Sequence, residues 1–143
     1  MSLARIIGFV ALVALSIHSA QAQEPSTDYG TVASRVVHVS LVALLANGKK
    51  FDGKIVRVSG VMRLEFEGNG LYLSKDDHAF GISKNALWLS PDYKRLKANA
   101  AQLAKLNGRY VLLEGRYKFA NNGHKEAFSG ALESVNRILL LEK

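Results

Sequence analysis

The sequence predicts a mainly β domain: a five-stranded Greek-key barrel with a helix between the third and fourth strands and a short helix near the N-terminus. Three observations predict this fold. Several segments alternate apolar and polar residues, as half-buried strands do. One longer segment repeats apolar residues every three or four positions, as an amphipathic helix does. Two strand segments share a pattern that reaches a mid-strand glycine, which is typical of the bends of a small barrel.

Composition and the first segment limit the class of protein. The chain has 143 residues, enough for one core, and it contains no cysteine, which excludes disulfides and thiolate chemistry. Residues 1–22 have the features of a cleavable secretion signal: Arg5, an uncharged run from Ile6 to Ile17, and the small-x-small triplet that ends at Ala22. The run is shorter than the ~20 apolar residues of a membrane-spanning helix. We therefore expect cleavage between Ala22 and Gln23 and a periplasmic or secreted protein.

The mature chain is expected to begin with a leader, residues 23–39, followed by the barrel domain, residues 40–143. The polar part of the leader, up to Gly30, is predicted to be loose, and Val36–Val39 is predicted to be a short edge strand. Ser40 is a suitable N-cap for a short helix over Leu41–Ala46.

The first half of the barrel is predicted from alternation and turn residues. Lys54–Leu64 alternates cleanly, and residues 65–67 are predicted to continue this first strand. Gly68-Asn69-Gly70 favours a hairpin turn, and Leu71–Leu73 is the expected second strand. A short third strand is predicted over Ala79–Ser83, with a further strand piece over Ala86–Leu89.

The second half begins with a helix signal. Ser90-Pro91-Asp92 is a typical helix start, and the apolar stripe that follows predicts one helix up to Leu106. Arg109–Phe119 is the expected fourth strand. A polar loop over Ala120–Ala127 then leads to the last strand, Leu132–Leu141, which is expected to be bulged or buried on both faces near its end.

The two glycine-containing segments carry a family resemblance. FDGKIVRVSG, which begins at Phe51, aligns with LNGRYVLLEG, which begins at Leu106, and both combine a turn, a basic residue and alternating apolar residues. Together with the EFEGNGLYL hairpin and the PDYKRLKANAAQL helix, they resemble the small exported bacterial OB-fold proteins. The resemblance covers residues 40–141. It implies a five-stranded barrel, but no single function, since such barrels bind oligonucleotides, oligosaccharides, proteins and metals.

Basic residues suggest a surface for an anionic partner. The formal net charge of the chain is +7. In the expected barrel the first and fourth strands are neighbours, and alternation directs four basic side chains of these strands outward: Arg57, Arg63, Arg116 and Lys118. Lys54 and Arg109 stand at the starts of the two strands. The alternative is a solvated strand face that Glu114 partly neutralises.

Aromatic and loop residues extend the predicted ligand surface. Tyr72 lies opposite in parity to its core neighbours, which predicts an exposed stacking platform. Tyr117 and Trp88 are predicted to be core residues. The loop before the last strand adds His124 and Lys125, which are either ligand-binding residues or ordinary polar loop residues.

The prediction is a binding module that needs no cofactor, is monomeric or weakly associating, and binds no intracellular nucleic acid. No catalytic or phosphate-loop motif is present in the sequence. One alternative is a metal-dependent protein or enzyme in which Asp76, Asp77, His78 and His124 converge, although their spacing matches no zinc motif. Another is a structural envelope protein that binds a protein partner through an edge near Val36–Val39.

Overall fold

Five strands close into a barrel in residues 28–141, which are the residues that the structure, a computed structural model, describes. The predicted signal segment and its cleavage site lie outside the described residues. Two further short strands precede the barrel strands. In chain order the strands are β1 (Asp28–Gly30), β2 (Val37–His38), β3 (Ile55–Arg63), β4 (Gly70–Tyr72), β5 (Ala86–Pro91), β6 (Tyr110–Lys118) and β7 (Ala131–Leu140).

The barrel is a closed ring of strand pairs. β3 pairs with β4, β4 with β5, β5 with β7, β7 with β6, and β6 again with β3. All of these pairs are antiparallel except β5–β7, which is parallel. Within this ring, the C-terminal end of β3 pairs with β4, and most of the length of β3 pairs with β6.

The main core fills the inside of the barrel, and strand alternation predicts its members well. Val56, Val58 and Met62 of β3 are buried, as is Tyr117 of β6. The mid-strand glycines mark close approaches, as predicted. A Cβ added to Gly60 would lie 2.7 Å from the carbonyl oxygen of Tyr72, and one added to Gly115 would lie 2.9 Å from that of Glu133. A side chain at either position would push neighbouring strands apart.

The described part of the leader, from residue 28 onward, pairs with the barrel, although the chain up to Gly30 is predicted to be loose; residues 23–27 lie outside the described residues. β1 pairs with β7, and β2 pairs with β3, as the predicted edge strand does. Because β6 lies between β7 and β3, residues 31–36 cross the outer face of β6. We call residues 28–38 the strap.

The first helix and the last strands agree with the prediction. Helix α1 (Leu41–Asn47) is capped by Ser40, whose hydroxyl accepts a hydrogen bond from the backbone N–H of Ala43 at 3.1 Å. A 3₁₀ turn (Gly48–Phe51) follows it. β6 and β7 lie within one residue of their predicted bounds, and the β6–β7 register shifts between Glu114 and Arg116.

The predicted third strand at Ala79–Ser83 is wrong. Ala79 ends helix α2 (Lys75–Ala79), and Ser83 begins a 3₁₀ turn (Ser83–Asn85). The local reason is a cap: the Ser74 hydroxyl accepts a hydrogen bond from the Asp77 N–H at 3.0 Å and donates one to the Asp77 carboxylate at 2.8 Å. The third barrel strand is β5, which begins where the sequence indicated only a strand piece.

The single helix predicted up to Leu106 is also wrong. Two short helices connect β5 to β6: α3 (Tyr93–Leu96) and α4 (Ala100–Ala104). Lys97, between them, has the left-handed φ of 52°. Asn99 and Gln102 then form a capping box that starts α4. Leu96 still faces the core, so the apolar stripe marks the buried face correctly although the helix is interrupted.

The strand β3 ends earlier than predicted, at Arg63. The backbone of Leu64 is hydrogen-bonded by the Asn107 side chain, which accepts from the Leu64 N–H at 2.7 Å and donates to the Leu64 carbonyl at 3.1 Å. Residues 64–69 therefore form a loop rather than a tight hairpin. Glu65 and Glu67 are exposed and contact different basic residues.

Candidate functional site

The sequence-predicted site residues fall in three groups on the barrel surface. Arg57 belongs to an ion-pair cluster under the strap. Arg63, Tyr72, His124 and Lys125 belong to the outer face of β3–β5 or to the loops beside it. Arg116 and Lys118 belong to a basic patch at the end of β6. The register of β3 and β6 places Arg57 opposite Glu114 and Arg116 opposite Ile55, so the first and the third group adjoin on these two strands.

The cluster under the strap is built around Glu114, which alternation directs outward but which is 0% exposed. Its carboxylate lies 2.5 Å from Arg57 and 3.3 Å from Arg137, and it accepts a hydrogen bond from the Ala33 N–H at 2.8 Å. Arg57 is also 3.1 Å from His38 of the strap. Of the two alternatives for Arg57, the ion pair favours the strand face that Glu114 neutralises, because this cation lies against a buried acid.

The pKa of Glu114 reflects this environment. Burial disfavours the charged form and on its own would raise the pKa. The hydrogen bonds from the Ala33 N–H, Arg57 and Arg137 outweigh burial and hold the pKa of the Glu114 carboxyl below its ordinary value. Glu114 is therefore ionised, and its hydrogen bonds and ion pairs join the strap to the strands β3, β6 and β7.

Tyr72 is not an exposed platform. It does lie on the outer face of β4, as its parity predicts, but it is only 3% exposed. Phe128 from the β6–β7 connection covers it, with ring centroids 6.4 Å apart, and Phe128 in turn contacts Trp88 at 5.4 Å. With Val61 and Ala86 they form a second apolar cluster on the outside of the barrel. Trp88, predicted to be core, packs at the edge of this cluster.

Arg63 and His78 border the second cluster. Arg63 forms an ion pair with Glu65 at 2.9 Å, and the ring of His78 meets Tyr72 edge-on with centroids 5.6 Å apart. Desolvation, followed by the nearby charge of Arg63, lowers the pKa of His78. Arg63 Nε and His78 Nε2 are buried and have no hydrogen-bond partner among the described residues. Arg63 is thus a partly neutralised cation.

The loop that carries His124 and Lys125 closes over Trp88. Gly123 lies so near the indole that an added Cβ would be 2.7 Å from Trp88 Cβ and Cγ. His124 Nε2 is 3.8 Å from a carboxylate oxygen of Glu67 in the β3–β4 loop. Lys125 is exposed and has a left-handed φ of 52°. His124 therefore connects two loops, whereas Lys125 points its charge to solvent.

The clearest free cations lie around the turn between α1 and β3. The ammonium groups of Lys50 and Lys54 lie 6.0 and 5.7 Å from the centroid of the Phe51 ring. The guanidinium of Arg116 reaches the same turn and donates to the Gly53 carbonyl at 2.7 Å. Lys118 follows two residues along β6. We call these four side chains the basic patch: Lys50, Lys54, Arg116 and Lys118.

The acidic residue nearest to the basic patch in sequence, Asp52, forms no ion pair with the patch. It lies in the turn, and its carboxylate accepts a hydrogen bond from the Phe119 N–H at 2.9 Å. None of the four cations of the patch forms an ion pair within residues 28–141. Phe119 itself is 46% exposed. The sequence predicted Lys54, Arg116 and Lys118 for this surface but missed Lys50, which only the 3₁₀ turn brings to the ring.

The groups of the metal alternative do not assemble a recognisable site. Within the described part of the chain, no three His, Asp or Glu side chains are arranged to hold a metal ion. The carboxylate of Asp77 instead accepts hydrogen bonds from Ser74 and from Asn85, the latter at 2.9 Å. These hydrogen bonds lower the pKa of Asp77, and the bond from Asn85 has a larger effect than the bond from Ser74.

Two surfaces bear on the alternative of a protein partner. The edge strand β2 has only two residues, and Val37 in it is 37% exposed. At another position an open groove of about 430 Å³ lies between the β3–β4 loop and α4, where Phe66 is 95% exposed. The edge is thus short, and the larger exposed apolar surface is at Phe66.

Comparisons with known proteins do not assign this chain to a family. No protein-family model matches the sequence, and no curated protein matches it. No helix within residues 28–141 is long and apolar enough to cross a membrane.

Proposed function

We propose that this protein is an exported OB-fold module that binds a polyanionic partner through the basic patch and catalyses no reaction. The ring order β3-β4-β5-β7-β6 and the helices between its third and fourth strands support the OB-fold assignment, because this is the arrangement expected of that Greek-key barrel. The resemblance of the sequence to small exported OB-fold proteins supports a role in the cell envelope or outside the cell.

The observation that carries the proposal is the convergence of Lys50 and Lys54 on one aromatic ring. Both ammonium groups lie within 6.0 Å of the Phe51 centroid, and neither has an acidic partner among the described residues. Cation–π attraction offsets part of the repulsion between them. A bound anion would offset the rest, and the adjacent cations of β6 would extend the contact along a polymer.

Binding would depend on charge attraction to a backbone of phosphate, sulfate or carboxylate groups. Affinity of this kind falls with salt, because the polyanion releases counterions when lysines and arginines replace them. The exposed ring of Phe119 adds an apolar surface at the edge of the patch. Envelope polymers such as lipopolysaccharide, acidic glycans or extracellular DNA have the required chemistry.

The test compares two double variants of the purified protein on heparin and on a single-stranded oligonucleotide. Lys50→Ala/Lys54→Ala removes the two converging charges. Its matched control, Arg35→Ala/Lys105→Ala, removes two exposed cations outside the patch. For the oligonucleotide, we expect the first variant to bind more weakly and to lower the slope of log affinity against log salt by about 1.4, from ~0.7 for each lost contact. The control variant should retain the affinity and the salt dependence of the unaltered protein.

Two results would overturn the proposal. One is an affinity for heparin and for the oligonucleotide that does not change with salt concentration. The other is an equal loss in the two double variants, which would mean that net charge alone, and not this patch, attracts the polyanion.

A further inference from the structure

A second basic surface lies in a groove of about 460 Å³ between the strap and α3, and its lining residue Ile55 is the cross-strand partner of Arg116 of the basic patch. The strap contributes its crossing residues, and α3 contributes its C-terminal side. The residues that line this groove are Thr31, Val32, Ala33, Ser34, Ile55, Lys94, Arg95, Lys97 and Asn136.

The lining contains three cations and no acid. Arg95 is held by Asp92, with Nε 3.4 Å from a carboxylate oxygen. Lys94 and Lys97 form no ion pair within residues 28–141. Like charges at neighbouring positions repel one another, so a groove that gathers them without a counter-charge is suited to an anion.

The backbone at Lys97 is a second, independent observation. Lys97 follows α3 with a φ of 52°, a left-handed conformation that favours glycine and costs free energy for other residues. The lysine side chain at this position nevertheless lines the groove. Residues held in such conformations cluster at functional sites, and glycine would adopt this conformation without steric cost.

The rest of the lining fits a phosphate group attached to an apolar body. Thr31 and Ser34 bring hydroxyl groups, which donate hydrogen bonds to phosphate oxygens as ammonium groups do. Val32, which is 58% exposed, and Ile55 bring apolar surface to the same groove. We propose that this groove binds the phosphate of a phosphomonoester, with Lys94 and Lys97 as its principal ligands. Soluble phosphomonoesters and phosphatidic acid in a membrane share this chemistry.

The test measures binding of the purified protein to three probes: inorganic phosphate, glycerol 3-phosphate, and phosphatidylcholine vesicles with and without phosphatidic acid. The variant Lys94→Ala/Lys97→Gly removes both cations, and its glycine suits the left-handed backbone, so the fold is retained. We expect its affinity to fall about tenfold or more for each lysine removed. Binding to the soluble probes identifies a soluble ligand, and binding only to vesicles with phosphatidic acid identifies a lipid headgroup.

The control is Lys105→Ala/Lys125→Gly, which removes two exposed lysines outside the groove and the basic patch and also places glycine at a left-handed φ of 52°. It should bind all phosphate probes as the unaltered protein does. Because the test of the proposed function uses other variants and other probes, the two proposals can fail separately. Two results would overturn the proposal that this groove binds phosphate: no binding of any probe, or binding that Lys94→Ala/Lys97→Gly leaves unchanged.

Discussion

At the scale of single residues, Glu114 has the largest expected effect on stability. Its carboxylate is 0% exposed and is shared by Arg57, Arg137 and the Ala33 N–H. Removal of one partner of a buried ion pair leaves an uncompensated charge. We expect Glu114→Gln to lower the free energy of unfolding by about 3 kcal/mol, measured by urea denaturation.

Glu133 provides a matched control for this substitution. It lies on the neighbouring strand β7 and accepts a hydrogen bond from the Asn121 amide at 2.8 Å. Glutamine keeps an oxygen that can accept this bond, so Glu133→Gln should cost less than about 1 kcal/mol. An equal effect of the two substitutions would contradict the special role of the cluster under the strap.

The same carboxylate predicts a response to acid. The pKa of Glu114 is lower in the folded chain than its ordinary value of 4.5, so the unfolded chain binds the proton more readily. The stabilisation is therefore fully present above pH 4.5 and is lost as pH falls through the folded pKa. We expect the urea midpoint of the unaltered protein to fall more steeply than that of Glu114→Gln below pH 4.5. Parallel curves would contradict the assignment.

At the scale of elements, the break between α3 and α4 shows what periodicity leaves undetermined. The apolar positions Leu96, Leu103 and Leu106 are buried as one continuous helix would bury them. The signal for the break is local: Asn99 and Gln102 have the spacing of a capping box and start a new helix. The same holds for α2, where the cap at Ser74 outweighs the short apolar pattern at Ala79–Ser83.

The strained residue in this break gives an element-scale prediction. Lys97→Gly should raise the free energy of unfolding by about 1 kcal/mol, because glycine adopts the left-handed conformation without steric cost. The measurement is urea denaturation beside Lys94→Gly, a control in which glycine enters the helix α3 and should destabilise it. Equal destabilisation by both substitutions would show that Lys97 stabilises the fold through contacts of its side chain.

At the scale of the whole molecule, the sequence predicted the barrel better than its surface. Alternation identified the inner faces of β3 and β6, since the side chains that fill a barrel must follow the period of the strand. It also identified the outer parity of Tyr72. It could not show that Phe128 covers this face, or that the strap buries Glu114, because both contacts join residues far apart in sequence. The sequence predicted three of the four cations of the basic patch, Lys54, Arg116 and Lys118. It missed Lys50, because the 3₁₀ turn determines where this side chain points.

The two apolar clusters lie on opposite faces of the same strands, which predicts that they unfold together. β3 contributes Met62 to the main core and Val61 to the outer cluster, and β4 contributes Leu71 and Tyr72 in the same way. Trp88 is the single tryptophan of the chain and packs against the outer cluster, so its fluorescence reports that cluster alone. Far-ultraviolet circular dichroism reports the strands of the barrel. In urea we expect both signals to change in one coincident transition, as in a two-state domain. A fluorescence change at lower urea would show instead that the loop carrying Phe128 detaches from an intact barrel.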